Sequence, residues 1–215
     1  MFERLPIRLT YSRAEYLSDA VVHVIGLLIV GALVPTLIVL AALVNGTDDA
    51  VIASSIYGGS LVAMIFCSAI YNMVPHADWE WLLKRLDHSA IYLKIAGTYT
   101  AFAMLSGDHP YLIGMLWVIA ALGVTLKLLA PYEYRRVGLV LYLGLGWMAA
   151  VVGWEVFTTL PLAAVALIVA GGGIYTSGVV FYLWDRLPYH MAIWHVFVLA
   201  GSLAIYGGMT VAILA

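Results

Sequence analysis

The chain has 215 residues, of which 64% are hydrophobic and only 10% charged, with a formal net charge of −2. Soluble domains carry about 25% charged residues, so this composition excludes an ordinary water-soluble fold and points to the bilayer. No basic run exists to meet nucleic acid, and the single cysteine, Cys67, excludes an internal disulfide and reads as a small packing residue.

In chain order, residues 1–17 form a short basic, partly aromatic arm. No cleavable signal peptide is expected, because the first apolar run is too long for a signal core. That run covers about Ala20–Val44 and ends in an Asn45-Gly46 turn signal. A second run covers Val51–Tyr71. The loop Asn72–Leu86 is amphipathic, with Trp79, Trp81, Leu82 and Leu83 among Asp78, Glu80, Lys84 and Arg85; it suits the membrane interface, where tryptophan is favoured. A third run covers His88–Leu105, followed by the turn Ser106–Pro110, and a fourth covers Tyr111–Leu129. A basic aromatic loop, Ala130–Arg136, leads into a fifth run, Val137–Val152. A sixth covers about Leu160–Leu183, and after the loop Trp184–Tyr189 a seventh runs from Ile193 to the end.

Each run is long enough, or nearly so, to cross a bilayer as a helix. Lipid leaves no partner for open backbone groups, so helices are the expected form. The expectation is an all-α integral membrane protein, a single domain over residues 1–215 built as a seven-transmembrane helix bundle. The 20 glycines, including Gly144, Gly146 and Gly171–Gly173, read as sites of close helix packing. Lys and Arg fall only in alternate connections. Arg4, Arg8 and Arg13 precede the first run, Lys84 and Arg85 the third, Lys127, Arg135 and Arg136 flank the fourth-to-fifth loop, and Arg186 precedes the seventh. This places the N-terminus in the cytoplasm and the C-terminus outside. Lys94 alone lies deep within a run, away from its ends.

That topology gathers polar residues at the cytoplasmic end. Ser68 and Asn72, four apart, share a face at the end of the second run. Asp87 and His88 open the third, and His190 and His195 open the seventh. Ionisable residues inside a membrane are costly and are functional candidates. Lys94 follows Asp87 by two helical turns, about 10 Å along the axis, and faces the same way. It either snorkels to the interface or supplies positive charge to an internal polar site. His76 and His109 read as hydrogen-bonded interface residues, and His23, buried in the first run, as paired with a polar partner rather than a metal. A transporter reading has little support, since no paired broken helices are visible.

Four segments carry a resemblance. LDHSAIYLKIAGTYTAF, PYHMAIWHVFVLAGS, SAIYNMVPH and SDAVVHVIG resemble the third, seventh, second and first helices of the bacterial hemolysin III family, part of a wider seven-helix group that includes the adiponectin and progestin receptors. The resemblance implies a zinc site with one histidine from a Ser-x-x-x-His motif and two from a His-x-x-x-His motif, beside a serine and an aspartate. Three imidazoles leave a position for a water that zinc acidifies for hydrolysis. In the receptor branch the resemblance implies a ceramide hydrolase.

The chain departs at the ligands. Asn72 and Met191 stand where histidines are expected; His195 remains, and His190 is a substitute only if the helix begins irregularly. Ser68 and Asp87 are retained as candidate catalytic residues. The expectation is therefore a zinc-free polar site formed by Ser68, Asn72, Asp87, His88, Lys94, Met191 and His195. In it Lys94 replaces part of the metal's charge beside Asp87 and a lipid-like ligand is held. The alternative is a zinc-dependent, ceramidase-like lipid-amide hydrolase. Membrane lipids are the expected partners, and a bacterial inner membrane the expected location.

Overall fold

The computed structural model describes residues 11–74, 78–107, 109–129 and 135–215. Among them the chain is helical and turn, with eight α-helices. Helix α1 spans Arg13–Leu40 and closes in a π-helical turn, Ala41–Asn45; α2 spans Asp48–Met73, α3 Glu80–Leu105 and α4 Pro110–Leu129. Helix α5 spans Arg135–Val152, α6 Trp154–Thr159, α7 Leu162–Leu183 and α8 His190–Leu214. Five of these segments are long and apolar enough to cross a membrane, which makes this a multi-pass membrane protein.

The helix starts follow local chemistry. Ser12 caps α1 in a reciprocal capping box with Glu15, which satisfies two otherwise orphaned backbone donors. Thr47 caps α2, whose first turn carries Asp48 and Asp49, favourable charges at the positive end of the helix dipole. Between α1 and α2 the chain reverses at Gly46, whose φ of 74° needs a residue without a Cβ.

Helix α1 packs against α2 and α8, α2 against α3, α3 against α4, α4 against α5, and α7 against α8, with a lighter contact between α5 and α7. The principal core lies between these helices and includes Leu37, Tyr57, Phe102, Met209 and Ile213. The α7–α8 pair is held closest. A Cβ on Gly171 would stand 2.9 Å from the Gly201 carbonyl oxygen, and one on Gly201 would stand 3.1 Å from that of Gly171. Small residues thus allow backbone approach here, as expected in lipid. A Cβ at Gly144, Gly146 or Gly173 would meet nothing within 4 Å, so those three positions do not require glycine for packing.

Two boundaries differ from the hydropathy reading. Helix α3 begins at Glu80, well before His88, because hydropathy registers the apolar interior and not a helix's charged first turns. Between the fifth and sixth runs the chain breaks at Gly153, forms the short α6, and starts α7 behind Pro161, a residue suited to helix starts and not interiors. Residues 1–10 of the arm, His76, Asp108 in its turn and 130–134 of the basic aromatic loop lie outside the described residues.

Candidate polar site and cavity

The start of α1, the end of α2, the start of α3 and the start of α8 lie at one end of the bundle. Asp19 and His23, four apart on α1, face Ser68 and Asn72 of α2 and His195 of α8. His23 Nδ1 lies 2.8 Å from the Asp19 carbonyl oxygen and Nε2 3.2 Å from Ser68 Oγ. A carbonyl only accepts, so Nδ1 carries a proton; in the neutral tautomer that this sets, Nε2 accepts from the Ser68 hydroxyl. Ser68 Oγ in turn accepts from Asn72 Nδ2 at 3.3 Å, and the Ser68 carbonyl accepts from the same nitrogen at 2.9 Å. His195 Nδ1 donates to Asp19 Oδ1 at 2.5 Å, a short charge-assisted bond. The His23 and His195 rings meet edge to face at 4.4 Å. Every bond in the chain Asn72–Ser68–His23–Asp19–His195 has a consistent donor and acceptor, as a buried polar network requires.

This network lines one end of a cavity of about 550 Å³, within the range of small-molecule sites, ~300–1,000 Å³. Asp87 and His88 line the same end, with the His88 ring 6.5 Å from that of Tyr71. Deeper in the bundle the lining becomes apolar, with Met64, Ile65, Phe102, Phe157, Ile168 and Ile205. The gradation follows from direction: α1, α3 and α8 enter the bundle from this end and α2 leaves it here, so their polar turns coincide and their apolar middles face one another.

Lys94 is 4% exposed and points inward, not to the interface. Its Nζ lies over the Tyr175 ring of α7, 4.9 Å from the centroid, and among the described residues it forms no ion pair with Asp87 or any other acid. Two helical turns separate Lys94 from Asp87, and the amine extends sideways toward α7. Met191 borders the cavity and packs with the Leu139, Val179 and Trp194 cluster. His190 is buried, with Nε2 3.1 Å from Tyr11 Oη, and does not join the Asp19–His195 network.

Sequence reasoning overlooked Asp19 and read His23 as a lone paired histidine. The available signal was their spacing of four at the polar end of the first run, which puts both on one helix face. His23 does have polar partners, Ser68 and Asp19, and with Asp19 and His195 it also forms a group whose potential ligand atoms lie within 4.8 Å of one another.

A helical, multi-pass architecture that keeps a histidine–aspartate network at one end of an intramembrane cavity defines a class of membrane protein. Residues 13–206 match the Haemolysin-III related family, and the chain belongs to it. It is 35% identical over 200 residues to Hemolysin-3 of Bacillus cereus, covering 91% of this chain and 90% of that one. It is 32% identical over 195 residues to a Hemolysin-3 homolog of Bacillus subtilis, covering 89% and 91%. Human Monocyte to macrophage differentiation factor is 31% identical over 188 residues, covering 81% and 76%.

The zinc site implied by the resemblance does not fit these residues. At its positions Asn72 turns its amide nitrogen to Ser68 and Met191 offers a thioether, a soft donor suited to other ions. Asp19, His23 and His195 are a different donor set. Tetrahedral zinc, with bonds of about 2.0–2.1 Å, holds its ligand atoms about 3.3 Å apart. The potential ligand atoms of Asp19, His23 and His195 lie within 4.8 Å of one another, and Asp19 Oδ1 and His195 Nδ1 are joined by a hydrogen bond at 2.5 Å.

Proposed function

We propose that this chain binds a lipid-like amphipathic molecule in the bundle cavity, without zinc. The head of the ligand meets the Asn72–Ser68–His23–Asp19–His195 network, with Asp87 and His88 beside it, and the chain of the ligand lies among Ile65, Phe102, Ile168 and Ile205. The observation that carries this reading is the cavity's gradation from a closed hydrogen-bonded network to an apolar interior. Such a site orients a ligand through a few polar groups and holds it by apolar area.

The proposal extends to topology and location. Helices α1–α5, α7 and α8 make seven crossings, with α6 a short appendage at the far end of α5. The basic starts of α1 and α3 and the end of α4 share one end; Arg85 Nε donates to the Leu128 carbonyl at 2.7 Å. By the positive-inside bias that end is cytoplasmic, in a bacterial inner membrane.

A second reading, a metal-dependent lipid-amide hydrolase, draws on the closeness of Asp19, His23 and His195. Elemental mass spectrometry on protein purified without chelators or a histidine tag separates the two. Substoichiometric metal together with a co-purifying single-chain lipid, detected by lipid mass spectrometry, supports binding. Near one zinc per chain, lost in His195→Ala, overturns the zinc-free reading.

A further inference from the structure

Lys94 is the feature that the polar network does not use. It stands in the middle of α3 and borders the cavity. Its ammonium has no hydrogen bond and no ion pair among the described residues; the contact it makes is with the face of Tyr175. That ring is held by its hydroxyl, which bonds Ser202 Oγ at 2.5 Å, so Tyr175 offers Lys94 a π-face and not an oxygen. A cation–π contact offsets only part of the cost of an uncompensated buried charge.

Four carboxylates border the cavity, Glu15, Asp19, Asp87 and Asp185, and none of them pairs with Lys94: Asp19 bonds His195, Glu15 bonds Ser12 and the Tyr189 amide, and Asp87 and Asp185 have contacts of their own. Asp87 lies about 10 Å away along the helix axis. Among the described residues the bundle therefore presents a cation to the cavity and pairs no carboxylate with it.

We propose that the missing anion belongs to the ligand: the cavity selects a single-chain amphiphile with one negative charge, and Lys94 is its counter-ion. This rests on the lipid-binding reading above and adds the charge of the ligand and the residue that selects it. The cavity's volume of about 550 Å³ suits one acyl chain and not a two-chain phospholipid. Asp19 and Asp87 at the polar end disfavour a dianion by repulsion. The anion sits between Lys94 and the histidine network, and the chain runs onward past Phe102 toward Ile168 and Ile205.

The test uses the full-length protein in nanodiscs, with palmitate, hexadecanol of the same chain length, and acetate as probes. Binding is read from the fluorescence of Trp147 and Trp194, which border the cavity, and from the thermal unfolding midpoint. Wild-type protein is expected to bind palmitate at least tenfold more tightly than hexadecanol, and acetate not at all. Lys94→Met is expected to erase the preference for palmitate while leaving hexadecanol binding in place, and Lys94→Arg to keep it. Lys94→Met is also expected to raise the unfolding midpoint of ligand-free protein, because it removes an uncompensated charge. Equal affinity for palmitate and hexadecanol in wild type, or an unchanged preference in Lys94→Met, overturns the counter-ion proposal and leaves the cavity reading standing. Failure of both long-chain probes to bind overturns the cavity reading and the counter-ion with it. Acetate binding as tightly as palmitate assigns Lys94 to a free-anion site and overturns the amphiphile.

Discussion

Asp19 holds the polar network together because it accepts twice, through its carbonyl from His23 and through its carboxylate from His195. Interhelical hydrogen bonds in membranes average about 0.6 kcal/mol, and charge-assisted bonds are roughly twice as strong. A double-mutant cycle with Asp19→Asn and His195→Ala is expected to give a coupling of about 1–2 kcal/mol, read from unfolding in micelles; additivity within about 0.3 kcal/mol would mean that the 2.5 Å bond contributes nothing. Ser68→Ala removes the hydroxyl that bonds His23 Nε2 and Asn72 Nδ2. Its expected cost is smaller, about 0.5–1 kcal/mol, because Asn72 keeps its bond to the Ser68 carbonyl. At this scale the sequence already pointed to polar residues at the ends of the second, third and seventh runs. It did not reveal the partners. Asp19 stands one turn inside a long first run, and nothing local distinguishes a carboxylate that meets a histidine 176 positions away from one that faces headgroups.

The helix pair α7–α8 owes its closeness to residues that carry no side chain. Gly201→Val is expected to force the helices apart and lower stability by about 1–3 kcal/mol, the usual cost of overpacking. Gly173→Ala, where nothing lies within 4 Å, is expected to be neutral or stabilising by up to about 1 kcal/mol through helix propensity. Thermal unfolding of the two variants side by side checks the contrast; equal losses would mean that the α7–α8 contact does not limit stability. Both glycines sit in apolar runs that look alike. Only the direction each faces separates them, and that depends on which neighbour the helix meets. The early start of α3 has the same origin. Trp79 and Trp81 are half or more exposed at its first turn, where an interfacial helix keeps its tryptophans at headgroup depth, so polar composition there marks depth and not the helix boundary.

For the molecule as a whole, topology decides what can meet. The starts of α1, α3 and α8 and the end of α2 share one end of the bundle, and the cavity's polar end follows. Asp48 and Arg186 are both exposed, at the start of α2 and between α7 and α8. In a Cys67→Ala background, Asp48→Cys is expected to react with a membrane-impermeant maleimide on intact spheroplasts, and Arg186→Cys only after lysis. The reverse pattern would invert the proposed orientation.

By itself the sequence determined that the chain lives in a bilayer as helices, about where each crosses, and which end carries the positive charge. These depend on local composition, because the lipid is a solvent that every segment meets independently. It also carried the family resemblance and the loss of two expected histidines. Only the tertiary structure decided that Asp19 and His23 join His195, that Lys94 turns to Tyr175 and not to Asp87, and that the polar end opens into an apolar cavity. Those outcomes depend on the rotation of each helix about its own axis and on which helices are neighbours. Both are set by packing across the bundle, over sequence separations that no local pattern spans.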